Sequence, residues 1–336
     1  MTGSCGRQEE WKMEKDTCWK EYFSDNRRYA DLINGLGCGG KRFVTECDLQ
    51  ELDTQIVVRR RSGRGRKRRR KGRRIRTRDM VRKAAFGVNF AVIGIESQEN
   101  IDYSMPLRSM VYDAGGYERQ ADEIRRKIRD QKKIRDYTEA LSPGEYLYDF
   151  GKDSRLHPVV TFLLYSGVKE WDGPKSLHGM IDFTDLPPEM RELVSDYHVN
   201  LIEIRKFQNT DVFKTDVKQV FDFIRCAEDK EALAKLVGGD PYFREMEEDA
   251  YDVVTQYANA KELVGKKNYY RRKGKMDMCT AIREMVQDGI NQGLEQGIDM
   301  KTRRIVENMI SRGMSDEDII AIAECSEELI REVRDE

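Results

Sequence analysis

Two nearly continuous apolar runs constrain this chain most: Phe90–Ile95 (FAVIGI) and Val159–Tyr165 (VVTFLLY). Neither leaves a polar face, so each predicts a buried strand, over 87–98 and 157–167. Both are far too short to span a membrane. Between them the pattern predicts a helix over 105–135, with a weak spot at Gly115-Gly116. NLIEIRKF (200–207) predicts another strand. From Asp211 onward Val212, Val217, Val220, Phe221 and Ile224 recur at helical spacing. Upstream, Asp25 and Asn26 can cap a helix running to Leu36, which GLGCGG stops. Tyr29, Leu32, Ile33 and Leu36 would form its buried face. Two short strand candidates follow, the second from Asp53 to Arg59, and RTRDMVRKAAF (76–86) predicts a short helix. The order predicts an α/β domain followed by an all-helical C-terminal part.

The 336 residues suffice for one sizeable domain plus an appendage. The formal net charge of −1 hides a strong polarity. Between Arg59 and Arg78 stand 14 Lys/Arg and no Asp/Glu, which leaves 46 basic against 61 acidic residues elsewhere. A concentrated cation on an acidic body implies one local anion-binding feature. Its like charges repel, so the run should be a solvated loop unless a polyanion neutralises it. The seven cysteines are scattered without a C-x-x-C pair, which argues against a disulfide framework or a zinc site. The first sixteen residues have no apolar core and do not read as a signal peptide. The cytoplasm is the default location.

One strand end carries the chemistry. In Ile93-Gly94-Ile95-Glu96-Ser97-Gln98, alternation puts positions 96 and 98 on the same face. An acid on a neighbouring strand, such as Asp53, would complete a hard-cation site suited to Mg²⁺. Such an ion can polarise a phosphate oxygen and activate water. Polar residues at a strand end are more often just the strand surfacing, and acid-x-amide is a common pattern.

An ordered set of motifs adds to that pattern. Phe43-Val44, Leu49 and Asp53, then FAVIGIESQENIDYSMPLRSMVYD (90–113), resemble the Rpn/YhgA-like family of recombination-promoting nucleases and transposases, in the PD-(D/E)XK nuclease superfamily. So do PVVTFLLYSGVKEWDGPKSLHGM (158–180), DLPPEM (185–190), NLIEIR (200–205) and the glycine-stepped QDGINQGLEQGID. The resemblance spans most of 20–330. It implies a restriction-endonuclease-like core, with a mixed central sheet flanked by helices, and a metal-dependent DNA endonuclease associated with recombination or transposition. It implies Asp53 as the strand acid and Glu96 as the second ligand of Mg²⁺ or Mn²⁺. Gln98 takes the slot of the superfamily's lysine, whose charge it lacks. Met105, Pro106, Leu107, Arg108 and Tyr112 match the helix behind the site, and Asp31 sits where the superfamily often has an extra acid. The basic run lengthens the interval from Asp53 to Glu96 and creates a rival, Asp79. Asp53 is favoured because the residues before it match better.

Each phosphate neutralised releases counterions, so the run should grip a nucleic-acid backbone with strong salt dependence. Arg59, Arg60, Arg61, Arg64, Arg66, Lys67, Arg68, Arg69, Arg70, Lys71, Arg73 and Arg74 are the expected contacts. The run has no aromatic residue, so little base readout is expected. Gly289, Gly293 and Gly297 recur every four residues, which suits either close helix packing between subunits or a flexible tether. Gly313, Ser315 and Ser326 punctuate a helix-turn-helix-like tail whose last helix is too acidic to read a major groove. The three separated histidines, and Tyr165 and Trp171, read as structural. The expected segments are a tail over 1–20, a nuclease-like domain over 21–210 with the basic insertion at 59–78, a helical region over 211–280 and the glycine-stepped tail over 281–336. Rival readings are a nucleic-acid-binding protein with an inactive site and a self-associating interaction protein.

Overall fold

A computed structural model describes residues 17–52, 55–58, 74–77, 80–86, 89–98, 100–133, 141–257, 263 and 265–335; for 55–58, 74–77, 84–86 and 89–98 it describes the backbone. The chain divides into two units. One comprises Met1–Leu236 and Glu247–Val264; the other comprises Val237–Met246 and Gly265–Glu336.

The first unit is built on a five-stranded sheet in the order β1-β4-β5-β6-β7. Its strands are β1 (Leu49–Glu51), β4 (Met80–Phe86), β5 (Asn89–Gln98), β6 (Val159–Tyr165) and β7 (Asn200–Glu203). β1, β4 and β5 are antiparallel neighbours, whereas β5, β6 and β7 run parallel. A separate antiparallel ribbon pairs β2 (Gln55–Val58) with β3 (Arg74–Thr77). Segment 80–86 is therefore a strand where helix was expected. Its sequence favours helix locally, but pairing on both edges with β1 and β5 overrides propensity.

Helix α1 (Asn26–Cys38) starts on Asp25, whose side chain accepts from the Arg27 N–H. It ends at Gly39 in the left-handed region, at φ 61°. That is the glycine stop the sequence announces. α1 covers one face of the sheet. Buried Arg82 of β4 donates from Nε to Asn26 Oδ1 at 3.3 Å and lies 5.2 Å over the Tyr29 ring.

Helix α2 (Met105–Gln131) joins β5 to β6 and covers the opposite face. It runs unbroken through Gly115-Gly116. A Cβ at Gly116 would meet both Val159 methyls at 3.1 Å, so the glycine serves close approach to β6 and not a break. Tyr165 and Trp171 are buried and edge-to-face at 5.2 Å, as packing residues. Helices α3 (Val217–Cys226) and α4 (Glu248–Thr255) complete this unit's core. There buried Arg28 pairs with Asp216 and Asp249.

The second unit holds a two-stranded ribbon that the helical pattern concealed, β8 (Arg271–Arg272) with β9 (Lys275–Met276). Lys273 and Gly274 turn it with φ of 51° and 82°. A 34-residue helix, α5 (Met278–Ser311), follows, then α6 (Asp316–Ala323) and α7 (Glu327–Asp335). Gly313 (φ 76°) and Ser315, which caps α6 through the Asp318 N–H, provide the expected stop and restart. Val306, Met309, Ile319 and Ile330 form the small core shared by α5, α6 and α7.

Candidate active site

β5 lies between an antiparallel neighbour, β4, and a parallel one, β6. In the parallel register position 94 matches Thr161, 96 matches Leu163 and 98 matches Tyr165. Those β6 residues belong to the α2 face. The Thr161 hydroxyl donates to Asp113 Oδ1 at 2.6 Å, and Leu163 packs with Met105. Side chains alternate along a strand, so positions 94, 96 and 98 of β5 share the α2 face. The antiparallel register agrees. Val81 pairs with Gly94, whereas Arg82, which reaches α1, pairs with Ile93.

Just beyond Gln98 the chain turns into α2 through a compact polar network. Asp102 Oδ1 accepts from the Ser104 backbone N–H at 2.9 Å and from its hydroxyl at 2.6 Å. Arg108 donates from Nη1 to Asp102 Oδ2 at 2.5 Å and from Nη2 to the Tyr112 hydroxyl at 3.1 Å. Partial burial pushes the Asp102 carboxyl up, but the bonds from Ser104 and Arg108 outweigh it and hold the group below the usual carboxylate range. Tyr103, largely exposed beside this network, is raised by its hydrogen bond to Asp172. One turn further, buried Asp113 accepts from Thr161 and from the Tyr197 hydroxyl. The first turns of α2 are thus fixed in place before any ligand arrives, as positioning groups need to be.

The expected site residues have different placements. Glu96 and Gln98 lie at the C-terminal end of β5. Asp53, Asp79 and residues 59–73 lie outside the described residues. The run 59–73 joins two paired strand ends, since Val58 pairs with Arg74, the remaining predicted cation. β2 lies against α2. Asp31 is brought elsewhere. Its buried carboxylate accepts from the Lys214 N–H at 2.8 Å, and from the Thr215 N–H and hydroxyl at 2.7 Å each. That is the pattern of an acid fixing a loop.

His178 Nε2 meets the Val194 carbonyl at 2.7 Å, and His198 lies 3.5 Å from Asp196. Among the described residues no group of three or more His, Cys, Asp or Glu side chains converges to hold a metal. Sequence reasoning reached Arg108 and Tyr112 but missed Asp102, the group that anchors Arg108. An available signal was the Asp-x-Ser ahead of a Pro at the helix start. No protein-family model matches the chain, and neither a curated protein nor a solved structure does.

Proposed function

We propose that the chain is a metal-dependent endonuclease of the PD-(D/E)XK type, working on DNA in the cytoplasm. Its site would lie where β5 ends and α2 begins. DNA and a second copy of the chain are the proposed partners. The carrying observation is the register of β4 on β5. Met80 pairs with Ile95. Ile95 directly precedes Glu96 and Asp79 directly precedes Met80 in the sequence; Asp79 itself lies outside the described residues. Two carboxylates brought together at that end of the sheet could share a cation.

We propose Asp79 as the acid that partners Glu96, because it directly precedes the strand residue that pairs with Ile95; its rival Asp53 likewise lies outside the described residues, and Asp31 is left to its loop.

Two carboxylates with the Gln98 amide alongside would offer oxygen donors of the kind suited to Mg²⁺ or Mn²⁺. A bound ion would polarise a phosphate oxygen and favour attack by water. Gln98 supplies hydrogen bonds but no charge, so it would orient the water or the phosphate. Arg108, held by Asp102 and Tyr112, is the nearest fixed cation along the chain and would stabilise the developing phosphate charge. The arginine run, which connects β2 to β3 in the sequence, would hold the DNA backbone without reading sequence.

The test is incubation of the purified chain with supercoiled plasmid and Mg²⁺ or Mn²⁺. Nicking should vanish with chelator, in Glu96→Gln and in Asp79→Asn, and persist in Asp53→Asn. Nicking undiminished in Glu96→Gln, or no nicking by the wild type with either metal, would refute the enzyme. DNA binding without cutting would leave the reading of an inactive site.

A further inference from the structure

Helix α5 contains a stretch that its own fold leaves uncovered. From Val286 to Lys301 every residue is exposed. The stretch is about 24 Å long at 1.5 Å per residue. Nothing lies within 4 Å of a Cβ built on Gly289, Gly293 or Gly297. Three glycines in an otherwise uncovered helix cost about 1 kcal/mol each relative to alanine. Isolated helices of this length are marginal in water. A helix so disadvantaged gains its stability from packing.

The stretch has a face to pack. At 100° per residue Val286, Ile290 and Leu294 fall within an 80° arc, and Ile298 extends it by 40°. Gly293 and Gly297 lie inside or beside that arc. Asp288, Glu295 and Asp299 cluster on the opposite side. The four aliphatic residues are 37%, 58%, 63% and 55% exposed, and Met300 is 70% exposed. An aliphatic stripe backed by acids is a contact face, not a solvated one.

We propose that this face binds the same face of a second copy, with the two α5 helices antiparallel and crossing at Leu294. This rests on the self-association part of the function proposed above and not on the nuclease. Three observations select that occupant. First, the stripe complements itself: Gly293 and Gly297 leave hollows beside the protruding Ile290, Leu294 and Ile298, so two copies can interdigitate at the shallow crossing that i±3 rows packed into i±4 rows give.

Second, from Glu284 to Arg304 the charges run acidic then basic, with Arg283 just before them. Glu284, Asp288, Glu295 and Asp299 precede Lys301, Arg303 and Arg304. A parallel pair would lay the cations against each other. An antiparallel pair about Leu294 sets Arg304 level with Glu284 of the second copy and opposes the helix dipoles.

Third, the area fits a reversible dimer. Each apolar side chain offers roughly 60–120 Å² when fully exposed, so at the observed exposures the four aliphatic residues and Met300 of both copies offer about 500 Å². With the polar rim that such interfaces carry, the buried total approaches about 900 Å². That is the range of weak, concentration-dependent association.

The full-length chain should shift from monomer to dimer over the micromolar range in sedimentation velocity. Leu294→Asp should weaken dimerisation at least tenfold. Gln292→Asp, which places the same side chain on the acidic side, should leave it within twofold. Circular dichroism of the two variants separates lost association from lost helix. A photo-crosslinking residue at position 286 should capture the second copy near Thr302; capture near its own number would overturn the antiparallel arrangement. A chain that stays monomeric to 100 µM would overturn the proposal, as would a Leu294→Asp variant that dimerises like wild type. These readouts need no nuclease activity, so failure here leaves the nicking result standing, and the reverse.

Discussion

Replacing Arg28 with Met should be among the most damaging single changes in the first unit. The Arg28 side chain is 6% exposed. It donates from Nε to Asp216 Oδ1 at 2.7 Å and from Nη2 to Asp216 Oδ2 at 2.8 Å. It also pairs with Asp249 and lies 4.3 Å over the Tyr22 ring. Burial alone would lower the Arg28 pKa, but the two carboxylates outweigh it and raise it, so the charge stays on. Arg28→Met leaves the Asp216 carboxylate, only 10% exposed, without its paired guanidinium, although the Tyr22 hydroxyl still donates to it at 3.2 Å. Breaking such a pair costs about 3–5 kcal/mol. The Asp249 arm adds less than about 1 kcal/mol, because that side chain is 35% exposed and reaches water. For a unit of this size the loss corresponds to a fall in melting temperature of roughly 6–20 °C. Urea unfolding followed by tryptophan fluorescence measures it. Adding Asp216→Asn removes the stranded charge and should recover part of the loss. An Arg28→Met variant within about 1 kcal/mol of wild type would refute this reasoning. So would a double variant less stable than the single one.

Three further outcomes follow from named contacts. Gly35→Ala places a Cβ 2.3 Å from Phe213 Cε1, and Phe213 cannot retreat because Phe207 and Phe221 hold it at 5.6 and 5.1 Å; the overpacking should exceed the helix-propensity gain, for a net loss of about 1–2 kcal/mol in urea unfolding. Because the folded Asp102 pKa is depressed, its stabilising effect is present above the usual carboxylate pKa and is lost as pH falls through the folded value; the stability gap between wild type and Asp102→Asn should therefore be open at pH 7 and narrow as the solution is acidified below the usual carboxylate range. Replacing residues 59–73 with Asn-Gly joins the paired ends Val58 and Arg74 through a two-residue turn and removes 11 cations; the fold should survive, while the slope of log K for DNA against log salt should shrink by several units.

Much of the frame was legible because single residues dictate it. The runs around Ile93 and Leu163 have no polar face to present to water, and both are inner strands. Gly39, Gly313 and Ser315 punctuate helices where their chemistry requires. What escaped the sequence was pairing. Lys83, Ala84 and Ala85 favour helix, and only the edges offered by β1 and β5 make a strand of them. The β8–β9 ribbon hides in two-residue strands, with Lys273-Gly274 as its sole local sign. Of the candidate site, sequence located Glu96 and Gln98 at the strand end. Its ranking of Asp53 over Asp79 rests on motif similarity alone, and both residues lie outside the described residues.

The central claim is that positions 79 and 96 hold one divalent cation between them. Electron paramagnetic resonance titration of Mn²⁺ into the full chain measures this without reference to catalysis. One tight site should appear in the wild type and in Asp53→Asn and Asp31→Asn, and disappear in both Asp79→Asn and Glu96→Gln. Equal Mn²⁺ uptake by the Glu96→Gln variant, or loss of the site in Asp53→Asn with its retention in Asp79→Asn, would contradict the account.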